Sequence, residues 1–494
     1  MEVKVFNEDW KIFQGDAVVF FTFEEGLEEL PHEVLEKVKP FAQDENFKGK
    51  KGEILKVPVS GYAFKRIYIA GLGKREKVNR NVAREVSAKV AQRLLKDKNK
   101  IVLIDVKKAI CSQACSEGLV LGSYNFDKYK TKKDEENSKG WEKVYFTNAD
   151  EKKVILGRVL AEAQNFTRDL VNTPPNEINP ETFPQIAREI AEQYGFEVDI
   201  KDPCWVEREM PGLWAVGRGS KTKPRFIHLI YKPQGEAKKK IAFVGKGLTF
   251  DSGGLNLKPE QFMKTMKMDK SGACAVLGIF KALGELKKLG LAPQNVEIHG
   301  FVGVAENMPG GESYRPDDII KMRNGKTVEV ANTDAEGRIT LGDVLTYASE
   351  QSPDYIVDMA TLTGACVVAL GEYTAGIFGN NEDFVHTYWE ISKKTGERMW
   401  QLPLDDELMR EEIKSEVADL SNLGKSRYGG AITAAMFLQE FVGQKDGNPI
   451  PWIHIDIAGP AWARKPYKWN PKSGGTGFGV RTAVEFILSE DQNS

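Results

Sequence analysis

Several short segments of the chain are almost entirely apolar, and they restrict its possible folds more than any other feature. Such strands belong in a sheet with helices on both faces, because a strand with one side in water would alternate apolar and polar residues. The segments are Arg225–Tyr231, Lys240–Val244, Val296–Val304, Tyr355–Met359 and Trp452–Asp456. Helical patterns occur between them, over Gly272–Leu289, Leu341–Glu350, Asp383–Thr395 and Thr433–Val442. The sequence therefore predicts a large α/β domain whose mixed sheet is covered by helices.

The first part of the chain repeats this pattern on a smaller scale. Its strand and helix segments are Ala17–Phe23, Arg66–Ala70, Val82–Leu95 and Ile101–Asp105. A longer helical pattern, Val154–Leu170, leads into the sequence NTPPN at 172–176, where consecutive prolines stop a helix. We therefore expect a smaller α/β domain over residues 1–150, a linker helix and loop over 151–176, and the larger domain over 177–494.

The charge balance of the chain excludes several partners. The 494 residues carry a formal net charge of −2, which argues against nucleic acid or an anionic membrane as the main partner. The segment Met1–Trp10 is charged and lacks the apolar core of a signal peptide. No run approaches the ~20 apolar residues that a membrane helix needs. These features favour a cytoplasmic protein.

Cysteine and histidine offer little for catalysis. Five cysteines are too few for a disulfide scaffold in a chain of this length. Cys111 and Cys115 could share a helix face, but no histidine or second cysteine pair lies nearby to complete a zinc site. His299 and His454 lie within apolar strand segments, so we expect both to be hydrogen-bonded core residues. A zinc peptidase of the HExxH type and a Ser-His-Asp triad have no local support.

Acidic and basic residues gather instead in two short stretches. Asp334 and Glu336 are two positions apart, so their side chains share a side only where the backbone is extended. Upstream, Lys246 follows the strand segment Lys240–Val244, and Asp251 follows it closely. Ligand sites in α/β sheets form at the carboxyl ends of the strands. We therefore expect the two stretches to meet at that edge of the larger domain.

These charged residues fit a pair of metal ions. The carboxylates are those of Asp251, Asp269, Asp334 and Glu336. Two divalent cations would neutralise them, and Lys246 could bind as a neutral amine because burial and a nearby cation both lower a lysine pKa. Oxygen ligands suit Mn, Mg, Co or Zn, and two such ions can polarise a carbonyl and activate water. Lys258 and Arg338 remain as positive groups for an oxyanion or a small bound anion.

Two other interpretations of these residues stay open at this point. Each residue taken singly is more often a solvated surface charge, although glycines at four of the ten positions 245–254 suggest backbone passing close to a ligand. A two-metal phosphoesterase would use the same set of ligands. No basic cluster beyond Lys258 and Arg338 is visible to hold a phosphate.

The motifs resemble those of the leucyl aminopeptidase, or cytosol aminopeptidase, family of dinuclear metallopeptidases. They are NTDAEGR at 332–338, VGKG-x-TFDSGG at 244–254, MK-x-D at 266–269, NTPPN at 172–176, ATLTGA at 360–365 and DIAG at 456–459. The resemblance is dense from about residue 165 to about residue 490 and weaker before it. It implies an enzyme that releases N-terminal amino acids from peptides, with leucine and other apolar residues preferred.

By this resemblance, five residues hold two metal ions. Asp251, Asp334 and Glu336 would hold one ion, with Asp334 contributing its side chain and its backbone carbonyl. Lys246, Asp251, Asp269 and Glu336 would hold the other, so that Asp251 and Glu336 bridge the pair. The ions implied are Mn or Zn, with Co or Mg also compatible.

The same resemblance assigns the catalytic and substrate-binding groups. Lys258 would polarise the scissile carbonyl and stabilise the oxyanion, and Arg338 would hold a bicarbonate ion that acts as general base. The free α-amine of the substrate would bind a metal ion, which restricts cleavage to N-termini. The implied substrate-binding residues are Met266, Thr361, Leu362, Gly364, Ala458 and Ala461. Ala461 stands where some relatives carry methionine, so the preferred side chain stays open.

The resemblance also bears on partners. The family is typically a homohexamer, which we take as the expectation here. Some relatives bind DNA as accessory factors, and a local basic patch could serve that role. Its lysines are Lys130, Lys132, Lys133, Lys238, Lys239 and Lys240. The near-zero net charge of the chain argues against this alternative.

Overall fold

The structure is a computed structural model with two compact units. It describes residues 2–106, 110–131, 140–404 and 407–494. One unit comprises Met1–Asn165 and Lys465–Lys472, and the other comprises Phe166–Arg464 and Ser473–Ser494. Lys132 and Lys133 of the predicted basic patch lie outside the described residues.

The first unit contains a six-stranded sheet that is parallel except at one edge strand, β3. Its strands are β1 (Glu2–Val5), β2 (Ala17–Thr22), β3 (Ile54–Pro58), β4 (Arg66–Gly71), β5 (Ile101–Asp105) and β6 (Lys143–Thr147), in the spatial order β1-β6-β5-β2-β4-β3. Its helices are α1 (His32–Asp44), α2 (Arg80–Lys96), α3 (Ser112–Gly122) and most of α4 (Glu151–Asn172). Residues of α1 share one core cluster with the sheet, and residues of α2 and α3 share another. Both faces of this sheet are therefore covered.

The second unit is built on a larger, mixed sheet. The strands of this unit are β7 (Glu197–Lys201), β8 (Arg225–Tyr231), β9 (Lys239–Asp251), β10 (Val296–Asn307), β11 (Ile319–Lys321), β12 (Thr327–Glu329), β13 (Tyr355–Ala360), β14 (Ala375–Gly379), β15 (Met399–Gln401), β16 (Leu420–Ser421), β17 (Gln444–Lys445), β18 (Asn448–Pro449), β19 (Trp452–Asp456), β20 (Trp462–Ala463) and β21 (Gly474–Gly475). The eight-stranded main sheet has the order β15-β14-β19-β13-β9-β10-β8-β7. Its four central strands are parallel, and antiparallel pairs occur towards both edges.

Helices cover both faces of this sheet, as its apolar strands require. The helices of this unit are α5 (Phe183–Tyr194), α6 (Pro203–Glu209), α7 (Pro211–Gly217), α8 (Glu260–Met263), α9 (Ser271–Lys288), α10 (Glu336–Glu350), α11 (Gly364–Leu370), α12 (Glu382–Thr395), α13 (Glu407–Glu411), α14 (Gly430–Gln439) and α15 (Val480–Gln492). Phe280 of α9 lies over Gly300 of β10, and Val344 of α10 lies over Gly303. Positions three apart on a strand face opposite sides, so α9 and α10 enclose the sheet between them. The predicted α/β fold with two domains is confirmed.

One strand differs from its prediction in a way that matters for the site. We expected a strand to end at Val244 with Lys246 beyond it, but β9 continues to Asp251. Its extension pairs with β10 as far as the register partners Asn307 and Asp251. Glycine and lysine disfavour strands in isolation, and pairing with a long neighbouring strand overrides that preference. Lys246 therefore projects from the sheet itself.

Two glycines allow a helix to approach the centre of the sheet closely. A Cβ atom on Gly245 of β9 would lie 2.5 Å from the carbonyl oxygen of Gly272. A Cβ atom on Gly272, in the first turn of α9, would lie 1.9 Å from the carbonyl oxygen of Met359 in β13. Real side chains do not tolerate such contacts with backbone, so α9 can occupy this position only because both residues are glycine.

The two histidines assigned to the core are buried and hydrogen-bonded, as predicted. His299 Nδ1 lies 2.8 Å from His228 Nε2, and His299 Nε2 lies 2.6 Å from Glu297 Oε1. His454 Nδ1 lies 2.5 Å from Asp358 Oδ1 in the neighbouring strand. Among the described residues, no helix is both long and apolar enough to cross a membrane.

Replacing Gly272 by alanine tests the close approach of α9. The added methyl group has to push the helix away from β13, so we expect the free energy of unfolding to fall by about 3 kcal/mol, the upper part of the range for overpacking. The melting temperature of Gly272→Ala, measured by calorimetry, reports this loss. Gly311→Ala is the matched control, because a Cβ atom there meets nothing within 4 Å. Equal melting temperatures for the two variants would contradict the packing argument.

Candidate active site

The second unit brings all the predicted charged residues together at the carboxyl edge of its sheet. They are Lys246 and Asp251 in β9, Lys258 in the loop that follows, Asp269 in the 3-10 turn Met266–Lys270, Asp334 in the loop after β12, and Glu336 and Arg338 in the first turn of α10. The pair Asp334 and Glu336 thus spans a loop and a helix start, and Glu336 is helical where we expected extended backbone.

Lys246 lies at the centre of this group and is only 3% exposed. Its Nζ is 2.8 Å from Asp269 Oδ2 and 2.8 Å from Glu336 Oε1, and it donates to the carbonyl oxygen of Thr361 at 3.0 Å. Room for this side chain depends on Gly337, because a Cβ atom there would lie 2.6 Å from Lys246 Cε. Through these contacts the lysine connects β9 to the 3-10 turn that carries Asp269, to the start of α10 and to the loop after β13.

Lys258 joins the other two carboxylates. Its Nζ is 2.8 Å from Asp251 Oδ2 and 2.5 Å from Asp334 Oδ1. Asp251 is buried, whereas the side chain of Asp334 is 35% exposed. This half of the site is therefore the half that solvent or a substrate can reach.

Burial and mutual repulsion act on every ionisable group of the cluster. Burial raises the pKa of all four carboxyl groups above their ordinary values, because the charged form loses its hydration. Burial by itself lowers the pKa of Lys246 and Lys258, but the surrounding carboxylates outweigh it and raise both. The lowered pKa that we expected at Lys246 depends on nearby cations, which would oppose these carboxylates.

The carboxylates are placed to hold cations. Oxygen atoms of Asp251, Asp334 and Glu336 lie within 4.8 Å of one another. Asp269 adjoins Glu336, since both contact the same lysine nitrogen. Four carboxylates face two lysines, so the cluster retains an excess of negative charge that bound divalent cations would offset. The donor set therefore fits two hard or borderline divalent ions.

Neighbouring amide and hydroxyl groups hold the ligands in position, and sequence reasoning missed them. Asn307 Nδ2 donates to Asp251 Oδ1 at 2.8 Å and to the carbonyl oxygen of Thr333 at 2.9 Å. Tyr314 also donates to that carbonyl, and Thr333 N–H donates to Asn256 Oδ1 at 2.8 Å. Asn307 ends the strand beside β9, so its position at the same sheet edge was a usable signal. Tyr314 and Asn256 lie in loops, where no sequence pattern indicated a contact.

Arg338 has features of an anion site. The side chain is buried, and its Nε and Nη1 have no hydrogen-bond partner in the described part of the chain. Burial lowers the pKa of this guanidinium to about 10, since the charge has lost its hydration. Burying a charge without partners is costly, so an oxyanion that accepts from these nitrogens would stabilise the arrangement.

A cavity of about 230 Å³ opens beside Arg338 and the metal-site candidates. Its walls are Asn332, Asp334, Ala335, Glu336, Gly337, Arg338, Leu362, Thr363, Gly364, Ala365, Leu423 and Gly430. Of the predicted substrate-binding residues, Leu362 and Gly364 line it. Thr361 instead donates from its hydroxyl to Asp269 Oδ1 at 2.7 Å. Met266 begins the 3-10 turn that carries Asp269, and Ala458 and Ala461 follow β19.

Both parts of the chain match models of known families. Residues 165–484 match the catalytic domain of the cytosol aminopeptidase family, and residues 18–133 match the N-terminal domain of the same family. A probable cytosol aminopeptidase of Aquifex aeolicus is 54% identical over 100% of this chain and 99% of its own length. One of Persephonella marina is 49% identical over 99% of this chain and 100% of its own length.

Solved structures agree with these sequence matches. The bottromycin maturation enzyme BotP in complex with Mn is 33% identical and superposes with a TM-score of 0.85 over 97% of this chain and 100% of its own. A mutant of tomato leucine aminopeptidase is 32% identical, with a TM-score of 0.86 over 99% of this chain and 96% of its own. The chain therefore belongs to the cytosol aminopeptidase family, and it is an aminopeptidase, a hydrolase that removes N-terminal residues from peptides.

Proposed function

We propose that the chain cleaves peptides behind apolar N-terminal residues with the help of two divalent cations. The ligands would be Lys246, Asp251, Asp269, Asp334 and Glu336. The observation that carries this proposal is the convergence of four carboxylates, from separate segments, on two lysines. A surface cluster without a function would not bury so much like charge.

Cations at this site would supply the activation of water and of the peptide carbonyl, as pairs of divalent ions do in other hydrolases. Mn or Zn fits best, and Co or Mg also suits oxygen ligands. The complex of the related bottromycin maturation enzyme with Mn supports a divalent ion. In the net reaction, the hydroxyl of water joins the carbonyl carbon, the C–N bond breaks, and the proton of water goes to the leaving amine.

Lys258 is placed to stabilise negative charge on the substrate. Its Nζ lies between Asp251 and Asp334, on the more exposed side of the cluster. The neighbouring carboxylates raise its pKa, so the side chain stays an ammonium at neutral pH. A fixed ammonium beside the scissile carbonyl would stabilise the oxyanion that develops there.

Arg338 would hold a bicarbonate ion that receives the proton of water. Two buried nitrogens of Arg338 have no hydrogen-bond partner among the described residues, and together with the adjoining cavity they support a small planar oxyanion here. Glu336 lies two residues earlier at the start of the same helix and lines the same cavity as Arg338, so the anion would sit close to the cation cluster.

The remaining features of the proposal concern substrate and assembly. Leu362 and Gly364 on the cavity wall, with Met266, Thr361, Ala458 and Ala461 nearby in the fold, would form the pocket for the first side chain. The family assignment supports peptide substrates, a homohexamer and a cytoplasmic location. The two alternatives, DNA binding and phosphate-ester hydrolysis, are not favoured by the comparisons.

Substitution of the two lysines separates metal binding from charge stabilisation. Lys258→Ala should retain both ions and lower kcat by roughly 10²–10³-fold, the usual loss for one oxyanion donor. Lys246→Ala and Glu336→Ala should each lose metal as well as activity, because their side chains would be ligands. The measurements are metal content by mass spectrometry and hydrolysis of leucyl-p-nitroanilide.

Glu350→Ala is the control for these variants, since Glu350 lies at the far end of α10 and pairs with Arg323. It should keep full metal content and activity. Metal loss in the Lys258 variant together with retention in the Lys246 variant would reverse the two roles.

A blocked N-terminus tests the exopeptidase assignment. Acetylation removes the basic lone pair with which the substrate amine would bind at the cluster, so N-acetyl-leucyl-p-nitroanilide should be cleaved at least ~10³-fold more slowly than the free amine substrate, a loss of about 4 kcal/mol in transition-state binding. Comparable kcat/KM values for the two substrates would refute an aminopeptidase mechanism. p-Nitrophenyl phosphate, assayed in parallel, would reveal phosphoesterase activity.

Removal of bicarbonate tests the role of Arg338. In buffer freed of carbon dioxide, the wild-type enzyme should lose activity and regain it as bicarbonate is added, because the proton acceptor is then restored. Arg338→Met should have low activity at every bicarbonate concentration. A wild-type enzyme that is indifferent to bicarbonate would exclude this anion as the general base.

A further inference from the structure

Asp456 is a buried carboxylate at the end of β19 that accepts hydrogen bonds from two separate loops. Its side chain is fully buried. Oδ1 accepts from the backbone N–H of Leu362 at 3.2 Å and from that of Ala458 at 3.1 Å. Oδ2 accepts from the hydroxyl of Thr363 at 2.6 Å. One side chain therefore connects the loop after β13 to the loop after β19.

The loop after β13 enters the site at two points. The carbonyl oxygen of Thr361 accepts from Lys246 Nζ at 3.0 Å, and the Thr361 hydroxyl donates to Asp269 Oδ1 at 2.7 Å. The next residues, Leu362 and Thr363, line the cavity. A displacement of this loop would therefore change both the cavity wall and the support of Lys246.

The Thr363 hydroxyl extends the same connection into α11. It accepts from the backbone N–H of Cys366 at 3.0 Å, which caps the first turn of that helix, while it donates to Asp456. Gly364, which begins α11, also lines the cavity. The position of this wall thus depends on a hydrogen-bond chain that ends at Asp456.

We infer that Asp456 is a positioning residue that sets the distance between these two loops and thereby the size of the pocket for the substrate's first side chain. The inference rests on the proposed function, because it assigns selectivity to the same site. Asp456 makes no described hydrogen bond with Lys258 or Arg338, and its inferred role runs through the two loops that it connects. Burial lowers the pKa of Arg338, and the charge of Asp456 partly offsets that lowering. Loss of this charge would affect all substrates alike, so selectivity between substrates reports the position of the loops.

Asp358 provides a matched comparison. It is also fully buried and lies on the adjacent strand β13, where it accepts from Trp452 Nε1 at 2.7 Å and contacts His454 Nδ1 at 2.5 Å. Both partners belong to β19 and to the core, and neither lines the cavity. Loss of Asp358 should therefore affect stability without affecting the pocket.

The test compares Asp456→Ala, Asp456→Asn and Asp358→Asn in the full chain loaded with Mn. The readouts are kcat and KM on leucyl-, alanyl- and phenylalanyl-p-nitroanilide, metal content and melting temperature. Asp456→Ala should lower kcat/KM for the leucyl substrate by about 10²-fold, as expected when a support shifts by ~1 Å. The ratio of leucyl to alanyl kcat/KM should fall at least about fivefold, because discrimination by an apolar pocket depends on its fit.

The conservative variant separates positioning from folding. Asp456→Asn can still accept from both N–H groups through Oδ1 while its amide faces Thr363, so it should recover most of the leucyl preference. Asp358→Asn should lower the melting temperature and leave the selectivity ratio at the wild-type value. Unchanged ratios in a folded, metal-loaded Asp456→Ala would overturn the inference, as would an equal loss of selectivity in Asp358→Asn. A wild-type enzyme that fails to cleave leucyl-p-nitroanilide would overturn the proposed function instead.

Discussion

The packing of four carboxylates, three of them buried, around two lysines is the interaction on which the rest of the second unit depends. Like charges removed from water repel strongly, and breaking a buried ion pair typically costs about 3–5 kcal/mol. Each lysine therefore contacts two carboxylates, so that no acidic side chain in the cluster is left without a cationic neighbour. The remaining negative charge gives the site its affinity for cations. The negative charge that binds cations is therefore also the charge that the fold has to accommodate at a cost in stability.

Close packing and hydrogen bonds from neighbouring side chains hold this cluster in place. Glycines at 245 and 272 let α9 approach the sheet, and Gly337 leaves room for the lysine that crosses to α10. Amide and hydroxyl side chains, such as Asn307 and Thr361, then fix the carboxylates in single orientations. Because these supports come from different strands and loops, the ligand geometry depends on the register of the whole central sheet. Preorganisation of this kind is what a hydrolytic site needs, since its groups must be in place before the substrate binds.

Much of the fold could be predicted because the signals were local. The apolar segments identified β8 and β19 to the residue and β13 to within one residue, since strands buried on both faces carry an uninterrupted apolar pattern. The predicted end of β10 at Val304 is three residues short of the observed end at Asn307. Two predicted element boundaries were wrong, because tertiary contacts overrode the conformational preferences of single residues. Strand β9 runs through Lys246, and α10 begins at Glu336, five residues before the predicted start at Leu341. In both cases, residues that are unfavourable for the element in isolation are retained because the site requires them there.

The sequence by itself determined the identity of the charged residues and the sheet edge at which they meet, because motif spacing and strand ends are both local features of the sequence. It could not determine which carboxylate faces which lysine, or that Asn307 supports a ligand and Asp456 the cavity wall. It also could not determine that Arg338 is buried, with two nitrogens that have no hydrogen-bond partner in the described part of the chain. Those relations join residues tens to more than a hundred positions apart. Only the tertiary structure decides them, because the pairing of strands and the close approach of helices fix side-chain distances that no local pattern encodes.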